Sequence, residues 1–317
     1  MESVDTQSGR WIKMRRATIL KTWKKIILLT FLSACAVGPN TAIGSSAVGQ
    51  TTAEANQTPT PAVETTDQSE SGLTALIAEN AGQLDAAVKS LIAASRNAVS
   101  ADGSPDDLGS DLHSLVQTVQ SQQSELERAI QVYIERFSAV SPEAGSQIKQ
   151  IEDEVKSALT SIAAVNAGFD SRSGIDLDAL DHFDKVWTRI ELEPKISAWQ
   201  ETVLTQIDRR ETQYMNIQPQ SGQVADNRVE AFTLAHDFVQ AFQDALDDGI
   251  FTPEELAQIS QIGANAEASL YNTGDRQIFG YAQAIIRLTR NAVRGEWSLA
   301  SSGINDLRLS LPAKPQL

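Results

Sequence analysis

Residues 112–137 read LHSLVQTVQSQQSELERAIQVYIERF, and this stretch decides the fold. Leu112, Val116, Val119, Leu126, Ile130, Tyr133 and Phe137 recur every three or four residues, with Gln123 as the one polar slip. That spacing puts the apolar side chains on one stripe of a helix. The stripe is close to a heptad, as in coiled coils and bundles.

The same period continues on both sides. Upstream, Leu73, Ile77, Leu84, Val88 and Leu91 predict a helix ending near Val99. The run 102–107, DGSPDD, breaks the pattern and starts the next helix, with Ser104 to cap and Pro105 at the first helical position. Downstream, Ser141-Pro142-Glu143 repeats that chemistry before a stripe of Ile148, Ile151, Val155, Ile162, Val165 and Phe169.

Gly168–Gly174 is a smaller break. Asp176 then opens a helix with Leu177, Leu180, Phe183, Val186, Trp187 and Ile190, which Pro194 should kink or end. Ile196, Trp199, Val203, Ile207 and Tyr214 follow. After a loop at 217–223, a helix over about 226–247 carries Phe232, Ala235, Val239, Phe242 and Leu246. Another runs from Thr252 through Leu256, Ile259, Ile262 and Leu270, and a third carries Ile278, Tyr281, Ile285, Leu288 and Ala292. A short amphipathic piece holds Trp297, Ile304 and Leu307. No stretch alternates like a strand between hairpin signals. The expectation is all-α: long amphipathic helices in antiparallel bundles, seven or eight of them, with no sheet. Residues 71–170 should form a three-helix bundle. Residues 175–311 should form a second bundle packed on it or continuous with it, with a tail at 312–317.

The N-terminus differs in kind. Seven basic residues precede an apolar run, Ile26–Val37, of 12 residues. As a helix it would cover about 18 Å, short of a hydrocarbon core of about 30 Å. It fits the apolar segment of a secretory signal peptide, residues 1–34. Met14-Arg15-Arg16 could be the true start. Residues 36–70 hold no aromatic residue and no apolar period, and they are rich in Ser, Thr, Pro and Glu. They read as a disordered tether, spanning roughly 30–35 Å on average.

Leu32-Ser33-Ala34-Cys35 resembles the lipobox of bacterial lipoproteins. In that family the cysteine thiol receives a diacylglyceryl group, the peptide is cut before it, and the new amino terminus is acylated, often with palmitate. The resemblance implies lipid attachment at Cys35 and a mature chain beginning there. A buried free cysteine, plain signal cleavage nearby and an uncleaved anchor are the other readings. Ala36, in place of Asp, points by the same analogy to the outer membrane facing the periplasm. Cys35-Ala36-Val37-Gly38-Pro39 also looks like the mature start of some efflux lipoproteins, whose length and strand segments the body lacks.

Charge narrows the partners. The chain has 26 Lys and Arg against 41 Asp and Glu, a net of −15. Residues 1–34 hold seven of the bases and two of the acids, so the remainder stands at −20. Such a chain repels phosphates, which argues against nucleic acid and against electrostatic adhesion to lipid headgroups. The membrane partner would be reached through the lipid on Cys35, and an unidentified protein partner is expected. Cys35 is the only cysteine, so no disulfide forms within the chain.

Chemical motifs are sparse. Asp244, Asp248, Gly249, Thr252 and Glu255 match positions 1, 5, 6, 9 and 12 of a calcium-binding EF-hand loop, which they resemble. Leu246 stands where an oxygen ligand belongs, and a helix end followed by a capped helix explains the same residues. Asp176, Asp178, Asp181 and Asp184, beside His182, form a second acidic run that suits a helix start. His113, His182 and His236 show no metal-ligand spacing. No covalent haem, phosphate-loop or dinucleotide motif is present, so no cofactor is expected. Trp187, Trp199 and Trp297 could line a ligand pocket, although aromatics at helical spacing usually fill a core. The leading function is a membrane-anchored, non-catalytic interaction or scaffold module. The alternatives are a small-ligand-binding lipoprotein and a carboxylate-dependent all-α enzyme acting on glycans.

Overall fold

The computed structural model describes residues 69–100, 105–162, 165 and 175–314. The signal segment, Cys35, the tether up to residue 68, the Ser104 cap and Phe169 lie outside the described residues. Those described are helical, with no strand among them. The helices are α1 (Glu70–Ser100), α2 (Pro105–Phe137), α3 (Pro142–Thr160), α4 (Leu177–Ile190), α5 (Leu192–Tyr214), α6 (Arg228–Leu246), α7 (Pro253–Asn272), α8 (Phe279–Val293) and α9 (Trp297–Ser310). A single residue, Glu191, joins α4 to α5. The pair counts as one broken rod or two helices.

The apolar stripes are the buried faces. From Leu112 to Phe137, every apolar residue of the α2 stripe is buried, and Gln123 is half-buried. Asn80 Nδ2 donates to the Glu125 carbonyl at 3.3 Å, and Glu70 lies opposite Tyr133, so α1 and α2 run antiparallel. The break between α4 and α5 falls at Glu191 (φ 50°), not at Pro194. Pro194 sits in the first turn of α5, where no amide donor is needed. The short C-terminal piece is a full helix, α9.

Packing divides the helices differently from the expected boundary near residue 170. The α5 stripe faces α1 and α3, and α4 also packs on α3 and α1. Leu177–Tyr214 therefore goes with α1–α3. The remaining helices form a square: α6 beside α7 and α9, α8 beside α7 and α9, with α6 and α8 on a diagonal. At Gly263 of α7 the helices come close, since an added Cβ would lie 3.0 Å from Thr289 Oγ1 and 3.2 Å from Phe238 Cε2. One apolar core runs through both groups.

Aromatic rings bridge the groups. Trp199 packs edge-on against Tyr133 at 5.1 Å, and Tyr133 against Phe137 at 5.6 Å. Phe137 meets Trp297 at 4.6 Å, and Trp297 meets Phe251 at 5.5 Å. Phe242 and Phe238 extend the line into α6.

Candidate functional site

The most concentrated polar chemistry is buried beside this aromatic line. Arg210 lies on the apolar stripe of α5, after Ile196, Trp199, Val203 and Ile207. Glu70 lies on the stripe of α1, one turn before Leu73. Helical period alone carries both charges into the core, and there they pair. Their side chains are 7% and 0% exposed.

The pair is embedded in further bonds. Glu70 Oε1 accepts from Tyr133 Oη at 3.1 Å and from Ser141 Oγ at 2.6 Å, while Oε2 accepts from Arg210 Nη2. Arg210 Nε donates to the Val293 carbonyl at 3.0 Å, and Nη1 donates to the Val140 carbonyl at 3.1 Å and to Ser141 Oγ. The Glu70 amide donates to the Gly295 carbonyl at 3.2 Å. Burial, reinforced by the Glu70 charge, pushes the Tyr133 phenol far above its ordinary pKa, so it remains a donor. Buried charges persist when paired and bonded in this way. The cluster ties the start of α1, the end of α2, the start of α3, α5 and the α8–α9 turn into one clasp.

Two local features make room for it. Gly295 has φ +74°, and a Cβ there would lie 2.9 Å from Glu70 Cβ and 3.0 Å from Phe137 Cε1. Ser141, expected to cap α3, makes no side-chain cap because its hydroxyl serves the clasp. Gln206 of α5 supplies the missing acceptor: with its amide turned to satisfy both ends, its oxygen accepts from the Glu143 amide at 3.2 Å and its nitrogen donates to the Ser141 carbonyl at 3.2 Å.

The residues singled out by sequence take other roles. Asp244 lies within α6 and accepts from Gln240 at 2.7 Å. Asp248 accepts from the Ile250 amide at 2.9 Å in a turn closed by Gly249 at φ +73°. Thr252 and Glu255 form a reciprocal capping box at the start of α7. Asp244 and Glu255 do line one groove of ≈310 Å³ between α6 and α7, but Asp248 and Thr252 do not. Among the described residues no group of three or more His, Cys, Asp or Glu is placed to hold a metal. Thr252→Ala should therefore cost about 1 kcal/mol through the lost cap. Added calcium should leave the melting midpoint of the unsubstituted protein where it is. A calcium-dependent rise would restore the loop reading.

Asp176 caps α4, accepting from the Asp178 and Ala179 amides at 3.0 and 3.1 Å. Asp181 and Asp184 share a face, as their spacing requires, and both bind Arg96 of α1, at 3.0 and 2.7 Å. His236 Nε2 lies 2.8 Å from the Pro312 carbonyl, and His182 is exposed.

The tryptophans do not share a pocket. Trp199 and Trp297 are core residues whose indole N–H groups donate to the Ala144 and Ala292 carbonyls at 3.0 and 3.2 Å. Trp187 packs on Phe183 and donates to Asp85 at 3.0 Å, at the edge of a depression of ≈190 Å³. Each ring satisfies its polar atom within the fold, as buried indoles do.

Glu70 and Arg210 were not singled out by the sequence reading. Glu70 falls at the end of the tether assigned to residues 35–70, and Arg210 is given no role. The available signal was a charge landing on each apolar stripe. Comparisons with family models, with curated proteins and with solved structures each give no match for this chain.

Proposed function

We propose that this chain is a lipid-anchored extracytoplasmic protein whose helical body works as an interaction or scaffold module, at the outer membrane and facing the periplasm. The observation that carries the reading is Leu32-Ser33-Ala34-Cys35 behind a basic segment and a short apolar run. A diacylglyceryl group brings two acyl chains, enough for stable anchoring.

Two features of the body support a module on a leash. The clasp fixes the start of α1 rigidly, so the tether joins the body at a defined point. The charged groups at its centre are mutually bonded in a structural role. No helix among the described residues is long and apolar enough to cross a membrane.

Cys35→Ser tests the anchor. The variant should move from the membrane fraction to the soluble fraction with its helical circular dichroism unchanged. The anchor reading fails if the variant stays with membranes and the unsubstituted protein carries no lipid. The module reading is tested by crosslinking in intact cells, which should trap a partner protein in near-stoichiometric amount. Recovery of the protein alone would contradict it.

A further inference from the structure

Charge is unevenly distributed within the C-terminal square of helices. Between Arg228 and Arg276 the sequence has nine acids and neither lysine nor arginine. Residues 276–314 reverse this, with six bases against Glu296 and Asp306. In a chain at −15 overall, and −20 from residue 35 on, the α8–α9 hairpin is locally positive.

The bases are arranged rather than scattered. Gln283, Arg287, Arg290 and Arg294 follow one another at helical spacing along one face of α8. Arg290 and Arg294 bracket Glu211 of α5, at 3.4 and 2.8 Å. Arg276, Arg287 and Arg308 are exposed and make no ion pair or hydrogen bond among the described residues. Antiparallel packing brings the two ends together: Tyr281 Oη donates to the Ser310 carbonyl at 3.0 Å, which sets Arg308 near the start of α8.

The tether joins the body at the C-terminal end of α8, the end opposite Arg276 and Arg308. The Glu70 amide bonds to the Gly295 carbonyl, and Gly295 directly follows Arg294. α6 touches α9 and, across the diagonal, α8. Its Asp237 is taken by Lys314 at 2.9 Å, and Asp275 ahead of Arg276 is taken by Arg228 at 3.2 Å, so neither pairs with the three exposed arginines. At physiological ionic strength the screening length is about 8 Å, so acids farther off do little to cancel them. Net charge is the wrong guide at this range.

We propose that the exposed face of α8–α9 docks on anionic phospholipid headgroups, laying the body on the membrane to which the tether leads. The setting rests on the lipid-anchor reading, but the binding chemistry does not. Guanidinium groups bind phosphate through paired donors and lose less to desolvation than ammonium groups. Each arginine at an anionic surface strengthens binding roughly fivefold.

The test uses the full chain carrying Cys35→Ser in every arm, so that no acyl group contributes. It is floated with vesicles of phosphatidylglycerol and phosphatidylethanolamine, or with phosphatidylcholine alone. Binding is expected to the first at about 0.15 M salt and to be lost at 1 M, where the screening length falls to about 3 Å. Arg276→Glu with Arg287→Glu should weaken it about 25-fold or more, and Arg308→Glu about fivefold or more. All three side chains are exposed, so the melting midpoint should hold.

The proposal is overturned if the phosphatidylglycerol vesicles bind nothing, or bind the variants as well as the parent chain. It is also overturned if the substitutions abolish a salt-sensitive self-association while vesicles bind nothing. That result would make the acidic α6–α7 face of a second copy the occupant. Intact mass reports lipidation separately, so a failed anchor and a failed docking face remain distinguishable.

Discussion

Arg210→Met is expected to lower the stability of the body by about 3–5 kcal/mol, the cost of leaving a buried charge without its partner. Glu70 would keep Tyr133 and Ser141 as donors but lose its counter-charge. The Val140 and Val293 carbonyls would lose their donor as well. Methionine fills much of the arginine stem's volume, so the loss reports the charge more than a cavity. Urea denaturation followed by circular dichroism measures it. Adding Glu70→Gln should recover part of the loss, with a coupling energy on the order of 2 kcal/mol. If the two substitutions simply add, the clasp is not an interacting unit. An Arg210→Met loss below about 1 kcal/mol would place Arg210 among ordinary surface residues.

Trp297→Ala should cost a similar amount, about 3–5 kcal/mol, by opening a cavity where the two helix groups meet. Trp297 is 6% exposed and stacks between Phe137 of α2 and Phe251 ahead of α7. Removing the ring separates the aromatic line at its middle. Unfolding, expected to be cooperative in the parent body because one apolar core runs through it, should then split, with α6–α9 losing structure at lower urea than α1–α5. Near-ultraviolet and far-ultraviolet signals that stay superimposed, with a loss below about 1 kcal/mol, would contradict this. Trp297→Phe, which keeps a ring but not the bond to Ala292, should fall between the two.

These two residues also show what a sequence discloses. Helical period disclosed Trp297, along with most of the buried apolar side chains in the body, though not Phe238, Phe251, Leu192 or Val293. The stripes of α1, α2, α5 and α6 are buried almost residue for residue, because a 3.6-residue period has only one way to hide its apolar face. Leu177 is the exception: it sits at the start of α4 and is 46% exposed. Helix starts were equally legible where they depend on neighbours in sequence, as at Asp176 and Thr252. Ser141 was misread because its hydroxyl bonds to Glu70, 71 residues away. The clasp itself is a contact across 140 residues, and local pattern carries no distance of that kind. Composition likewise set Glu70 in the tether, since a Ser- and Glu-rich run looks solvated until a buried guanidinium claims one of its acids. The boundary near residue 170 came from a Gly- and Ser-rich break, whereas packing follows the faces of α4 and α5.

The central claim is that Cys35 is lipidated and begins the mature chain. The most direct test is the intact mass of the protein extracted in detergent from its native membrane. The expected mass is that of residues 35–317 plus a diacylglyceryl group and one further acyl chain. A mass that retains residues 1–34, or a shortened chain without lipid, would contradict the account.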